Sequence, residues 1–281
     1  MIADRTLEGD LPVRVHYPAG LTKPLPVIVF SHGLGGSRLG YEFLGKAWSQ
    51  RGYVVVLPSH RENVPLGVAE QEQHTVAELR AMKEAINDPV NWPKRPLDIR
   101  RTIDALGSLP GHIRALNGML DLSRIGVGGH SYGAYTALLC AGARVRVPGS
   151  DGEWRTFPET RAKAFAALSP PGNGSRGLSA ESWAAIRAPL LCMTGTLDGG
   201  VLGEPPSWRE DAFKSLSGPD HDLVVLDGAD HFTFSAGRPR FPADPALMKQ
   251  IEAATLWFWD KHLRGVDAPF PALAGARVEQ K

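Results

Sequence analysis

Three residues far apart in the chain, Ser131, Asp198 and His231, are of the types that together turn a hydroxyl into a nucleophile. A serine hydroxyl is a weak nucleophile at neutral pH. It attacks an acyl carbon only when a base takes its proton and a further group holds that base in the right tautomer. Ser131 is the centre of Gly129-His130-Ser131-Tyr132-Gly133, preceded by the apolar run Ile125 to Gly128 and followed by a helix-like stretch from Ala134 to Ala143. In a strand, sharp turn and helix of this kind, GxSxG presents the serine hydroxyl at the top of a sheet, and the small flanking residues let the chain bend. Chance also yields GxSxG in a glycine-rich chain, so the pentapeptide needs partners.

Partners follow downstream. The apolar strand Leu190 to Thr194 breaks at Gly195 and delivers Asp198, and the strand Leu223 to Leu226 is followed by Asp227-Gly228-Ala229-Asp230-His231. In a parallel α/β sheet the carboxyl ends of the strands open on one edge, where these residues would meet despite their separation. Asp198 also reads as a turn residue and His231 as an ordinary loop histidine; their places after two successive late strands favour the chemical reading. Asp227 and Asp230 are rival acids, but they sit on the histidine's own loop and read as turn residues. His130 is expected to pack under the turn. If Asp198 orients the base, Asp198→Asn should lower turnover by about 10⁴-fold.

The remaining requirement is a pair of donors for the oxygen that becomes negative on attack. Val27 to Ser31 runs into His32-Gly33-Leu34-Gly35-Gly36, a glycine-rich segment whose backbone N–H groups suit an oxyanion and equally suit a phosphate or a plain turn. The backbone N–H groups of Leu34 and Tyr132 are the candidates. Gly33, Pro170, Trp183 and Phe232 are candidate pocket residues, with helix packing an equal alternative for Trp183.

The elements that must position these groups are legible as alternating short apolar runs and longer amphipathic stretches, the pattern of an α/β fold with a mostly parallel central sheet and helices on both faces. Strands are expected at 11–17, 27–31, 54–58, 125–129, 164–168, 190–194 and 222–226, and helices at 41–51, 75–87, 96–109, 132–143, 206–216 and 245–263. In the last, Leu247, Ile251, Ala254, Phe258 and His262 form one stripe. Residues 1–281 read as a single domain, with 59–95 and 144–160 as surface excursions and the first of these a possible partial lid.

With 43% hydrophobic residues and a formal net charge of +1, the chain has no electrostatic footprint for nucleic acid or an anionic membrane. No apolar run approaches the roughly 20 residues of a membrane span and no signal peptide is seen, so a soluble protein is expected, with the cytoplasm favoured and secretion left open. Cys140 and Cys192 read as buried core thiols. No CxxC, HExxH or histidine cluster is present, so neither metal nor cofactor is expected.

Beyond these motifs the chain resembles an α/β-hydrolase, and within that fold the platelet-activating-factor acetylhydrolase and dienelactone-hydrolase-like group of serine esterases. The resemblance is carried by Phe30-Ser31-His32-Gly33-Leu34-Gly35, by Gly52-Tyr53-Val54-Val55-Val56 with Ser59-His60-Arg61, by Arg95-Pro96-Leu97-Asp98-Ile99, by Asp121 to Gly133, and by the Asp198 and His231 loops. The order Ser, Asp, His is that of the α/β-hydrolase fold. The resemblance implies cofactor-independent hydrolysis of a small-molecule ester with a short acyl group, through an acyl-enzyme. A peptidase, amidase or thioesterase is the alternative on the same fold, a dienelactone-type or polyester hydrolase a second, and a non-catalytic binding protein a third. Serine where dienelactone hydrolases carry cysteine weakens the lactone reading. Ser169-Pro170-Pro171-Gly172, where related polyester hydrolases carry a tryptophan, weakens the polyester reading.

Overall fold

The computed structural model describes residues 1–8, 10–61, 74–148, 153–238 and 241–281. Among them a nine-stranded sheet is built from β1 (Ile2–Leu7), β2 (Leu11–His16), β3 (Leu25–Ser31), β4 (Val54–Pro58), β5 (Leu120–His130), β6 (Ala162–Leu168), β7 (Leu190–Gly195), β8 (His221–Leu226) and β9 (Ala276–Gln280), in the order β1-β2-β4-β3-β5-β6-β7-β8-β9. Pairing is parallel from β4 across to β8 and antiparallel at the β1, β2 and β9 margins. The parallel strands are runs such as Leu-Pro-Val-Ile-Val-Phe-Ser, buried along their whole length because helices cover both faces.

Side chains alternate across the sheet, so successive residues feed two cores. Val27, Val29, Val54 and Val56 join one core with Tyr135, Leu138 and Leu139; Ile28, Phe30, Val55 and Leu57 join the other with Trp48, Phe258 and Trp259. Helices α1 (Glu42–Gln50), α2 (Val76–Asn87), α3 (Lys94–Asp104), α4 (Tyr132–Ala141), α5 (Asp211–Ser215) and α6 (Pro245–Arg264) supply these layers. The α6 stripe is as expected at Ile251, Ala254 and Phe258, and it widens to Trp259. A Cβ on Gly126 would lie 2.8 Å from the Trp259 ring, so the glycine in β5 is what admits that indole.

All seven expected strands form, and the two edge strands β1 and β9 are additional. Expected helix 96–109 ends as α3 at Asp104 and continues as a 3₁₀ turn, and 206–216 is a 3₁₀ segment followed by α5. Of the two expected excursions, residues 62–73 and 149–152 lie outside the described residues. In the rest of the first, α2 starts on a Thr75/Glu78 capping box and docks through Met82 and Ile86, leaving Val76 and Leu79 exposed. Cys140 and Cys192 are free and buried, and burial pushes both thiols up, Cys192 to about 12. Among the described residues no helix is long and apolar enough to cross a membrane.

Candidate active site

The turn between β5 and α4 bends as tightly as its glycines allow. A Cβ on Gly129 would fall 2.2 Å from the Gly133 carbonyl oxygen, and one on Gly133 would fall 2.0 Å from that of Ser31. Only glycine fits at either place. Between them Ser131 takes φ 57° and ψ −114°, a sparsely populated backbone conformation for a residue with a side chain, held by its N–H donating to the Leu168 carbonyl at 2.9 Å. The strain lifts the hydroxyl off the sheet edge, where Ser131 is only partly buried.

Ser131 Oγ lies 2.9 Å from His231 Nε2, and His231 Nδ1 lies 3.1 Å from Asp198 Oδ1. The carboxyl ends of β5, β7 and β8 therefore bring the three expected residues into one hydrogen-bonded series. Asp198 is fully buried; its Oδ2 accepts from Thr194 Oγ1 at 2.9 Å, and its Oδ1 meets Arg209 Nε at 2.6 Å. The rival acids are engaged elsewhere. Asp230 Oδ1 accepts from the N–H groups of Phe232 and Thr233 and so caps its own turn, and Asp227 accepts from Thr196 Oγ1.

Leu34 sits beside this series on the loop after β3. The neighbouring Gly33 is so close that a Cβ there would lie 3.5 Å from Ser131 Cβ. The Gly33 carbonyl is held by a cluster of donors: Gly36 N–H at 3.1 Å, His32 Nδ1 at 2.7 Å and Arg95 Nη2 at 3.3 Å. In a trans peptide the N–H points opposite to the carbonyl, so anchoring the Gly33 oxygen also fixes the direction of the Leu34 N–H. Among the described residues the Leu34 and Tyr132 N–H groups take no backbone carbonyl. Arg95 also donates to the His32 carbonyl and stacks its guanidinium 4.5 Å from the Tyr132 ring centre, bracing the loop and the residue after Ser131 together.

His130 packs beneath the turn as expected, and it does more than fill space. Tyr41 Oη accepts from Gly33 N–H and donates to His130 Nδ1 at 2.7 Å, while His130 Nε2–H donates to the His231 carbonyl at 3.0 Å. Burial, helped by His231, holds the His130 imidazole well below its usual range, which keeps it neutral for this relay. The loop carrying Leu34 and the loop carrying His231 are thus tied through one buried ring.

A second series lies behind the Leu34 loop: Ser31 Oγ is 2.9 Å from His60 Nε2, and His60 Nδ1 is 2.9 Å from Asp98 Oδ2. Burial and then Arg95 depress His60 well below its usual range, so its contact with Asp98 joins a neutral imidazole N–H to a carboxyl. A cavity of about 470 Å³ borders His60, Arg95, Asp98 and Ile86. Tyr132 is its one wall shared with the turn after β5; Ser131, Asp198 and His231 do not line it, so this space is not the one beside the Ser131 hydroxyl.

Of the pocket candidates, Phe232 stands edge-on to the His231 ring at 5.5 Å, and Pro170 is buried with its carbonyl accepting from Arg209. Trp183 is a correction. It is fully buried in the core with its Nε1–H on Asn173 Oδ1, on a short 3₁₀ turn packed against α5. Sequence reasoning gave no site role to Tyr41, Arg95, Ser169 or Arg209, although Arg95 and Ser169 stand in stretches quoted for the resemblance.

The order of the strands, the strained turn after β5 and the Ser, Asp, His series in chain order decide the fold. The chain has the α/β-hydrolase fold. Solved structures agree over almost its whole length. A protein described as a dienelactone hydrolase from Klebsiella pneumoniae subsp. pneumoniae superposes with a TM-score of 0.66 at 17% identity, covering 93% of this chain and 99% of that one. A ferulic acid esterase from Streptomyces cinnamoneus gives 0.66 at 20% identity, covering 97% and 90%. Residues 8–87 match the family described as platelet-activating factor acetylhydrolase, isoform II. The platelet-activating factor acetylhydrolase of Cavia porcellus is 24% identical over 151 residues, 46% of this chain. That match spans 34% of the guinea-pig protein's length. The family match holds the Leu34 loop and His60 and stops before Ser131.

Proposed function

We propose that this protein of α/β-hydrolase fold cleaves carboxylic esters through an acyl-enzyme on Ser131. Ser131 Oγ attacks the acyl carbon while its proton passes to His231 Nε2. Asp198 keeps the other imidazole proton on Nδ1, and the N–H groups of Leu34 and Tyr132 receive the negative oxygen. The proton on Nε2 then goes to the departing alcohol. Water, deprotonated by the same nitrogen, releases the acid and restores the serine. The observation that carries this reading is the 2.9 Å and 3.1 Å series Ser131–His231–Asp198 on a partly exposed, strained turn beside the Leu34 loop.

Short acyl groups are the proposed substrates, supported by the likeness to acetylhydrolases and by the closeness of Gly33, Phe232 and the His231 ring around the nucleophile. A sheet that draws its edge strands from both ends of the chain supports reading residues 1–281 as one domain. The test is turnover of p-nitrophenyl esters from acetate to octanoate against aminoacyl p-nitroanilides and thioesters. Ester turnover that falls off beyond butyrate is expected; anilide or thioester cleavage without ester cleavage would replace the reading.

A further inference from the structure

We propose that Ser169 is a positioning residue for His231, its hydroxyl sharing the Nδ1–H of the imidazole with Asp198. The base is then held by two acceptors from two neighbouring strand ends rather than by one carboxylate. This deepens the function proposed above and rests on it.

Ser169 Oγ lies 2.7 Å from His231 Nδ1, closer than the 3.1 Å of Asp198 Oδ1. Ser169 is the first residue past β6 and adopts φ 53°, the left-handed region that a residue with a side chain enters at a cost. It is held there, fully buried, by its N–H on the Met193 carbonyl at 2.6 Å and by Arg209 Nη1 on its own carbonyl at 3.1 Å. The strained conformation carries the hydroxyl to the imidazole. With Nε2 accepting from Ser131, Nδ1 carries the proton, and the Ser169 oxygen receives it as an acceptor.

Arg209 is the reason a second acceptor matters. Its Nε meets the same Asp198 oxygen that faces His231, at 2.6 Å, inside a site from which water is largely excluded. A guanidinium there competes for that oxygen and offsets the carboxylate charge, so Asp198 pulls less on a forming imidazolium than an unpaired carboxylate would. The same guanidinium donates to the carbonyls of Asp198, Gly199, Ser169 and Pro170, tying the loops after β6 and β7 together. One buried cation thereby sets the spacing of the two acceptors around one N–H.

The groups facing His231 are Ser131 at Nε2, Ser169 and Asp198 at Nδ1, Arg209 behind Asp198, the neutral His130 ring 4.8 Å away and the Phe232 edge on its own loop. Of the two acceptors at Nδ1, Ser169 is the one whose oxygen can be removed without changing any charge.

The test compares Ser169→Ala, Asp198→Asn and the double variant. Ser169→Gly serves as a second hydroxyl deletion that also relaxes the positive φ. Both Ser169 variants should lower kcat on p-nitrophenyl acetate by about 10-fold with KM within twofold, the scale of one hydrogen bond to a charged group. The acid limb of the kcat/KM profile should move to lower pH, because the imidazolium loses an acceptor. The double variant should lose more than the product of the singles. In the resting protein, the downfield ¹H resonance of the His231 Nδ1–H should shift on deleting the hydroxyl. An unmoved resonance with an unchanged acid limb overturns the assignment whatever the ester panel gives. A Ser169-dependent resonance in a protein that takes no fluorophosphonate adduct upholds the shared hydrogen bond and overturns the hydrolase reading instead.

Discussion

Two Ser–His–Asp series of nearly the same hydrogen-bond geometry lie on opposite sides of the Leu34 loop. Ser131–His231–Asp198 spans 2.9 and 3.1 Å, and Ser31–His60–Asp98 spans 2.9 and 2.9 Å. Each has a buried arginine at one end, Arg209 on Asp198 and Arg95 near Ser31 at 3.4 Å. They differ in what surrounds the serine. Ser131 stands on a strained turn, partly exposed, with the first N–H of α4 beside it; Ser31 ends a regular strand, fully buried. Hydrogen bonding alone does not make a nucleophile. Access for a substrate, and donors for the charge that develops, separate the series proposed to react from the one that braces the loop.

Exchanging the serines one at a time should expose that difference most strongly. Ser131→Ala is expected to lower kcat by about 10⁶-fold while leaving the melting temperature nearly unchanged. Ser31→Ala should do the reverse. It strips the buried His60 Nε2 of its donor, costing about 1–3 kcal/mol of stability, with kcat held within about 10-fold. Steady-state kinetics and denaturant titration on the two variants read both quantities; a catalytic collapse in Ser31→Ala would erase the distinction.

The acid of the first series comes next in size. Spacing alone leads to a loss of about 10⁴-fold for Asp198→Asn, through the wrong histidine tautomer. Arg209 alters that expectation. Because it can only donate, it draws the amide oxygen of an asparagine into the Oδ1 place and leaves the amide nitrogen facing Thr194 Oγ1. The tautomer then survives, and the loss in kcat should be nearer 10²-fold. A 10⁴-fold loss would show that Arg209 does not orient the side chain.

The smallest effect is on pH-dependent stability. His32, His60 and His130 are held well below the usual histidine range, burial being the main cause. Unfolded, they take up protons near pH ~6.5, so their contribution is present above that pH and is lost as pH falls through it. Asp98 has the opposite sign. Burial pushes its carboxyl up to about 6, so it favours folding below the unfolded value near ~4 and loses that contribution as pH rises through 6. His16, His221 and His262 are depressed in the same way, against Asp98, Asp222 and Glu252 pushed up, so thermal melts should show the melting temperature falling from pH 7 to pH 5. In His60→Gln the fall should be shallower.

The parallel strands were legible because burial on both faces leaves unbroken apolar runs, and Ser131, Asp198 and His231 because each lies just past such a run. The edge strands were not. Ile2–Leu7 and Ala276–Gln280 are half exposed and carry Asp4, Arg5, Arg277 and Glu279, so they read as polar segments until their antiparallel partners are known. The residues that brace the site were illegible for a different reason. Arg209 and Arg95 act on backbone carbonyls, which every sequence possesses, and Ser169 acts through a positive φ that no residue type marks. Trp183 was ambiguous because an indole near an active edge and one in a core look alike until burial is known.

The central claim, that Ser131 is the reacting serine and Ser31 is not, is tested most directly by fluorophosphonate labelling followed by intact mass and peptide mapping. One adduct on Ser131 is expected in the unaltered protein and in Ser31→Ala, and none in Ser131→Ala. An adduct that persists in Ser131→Ala, or one that maps to Ser31, would contradict the account.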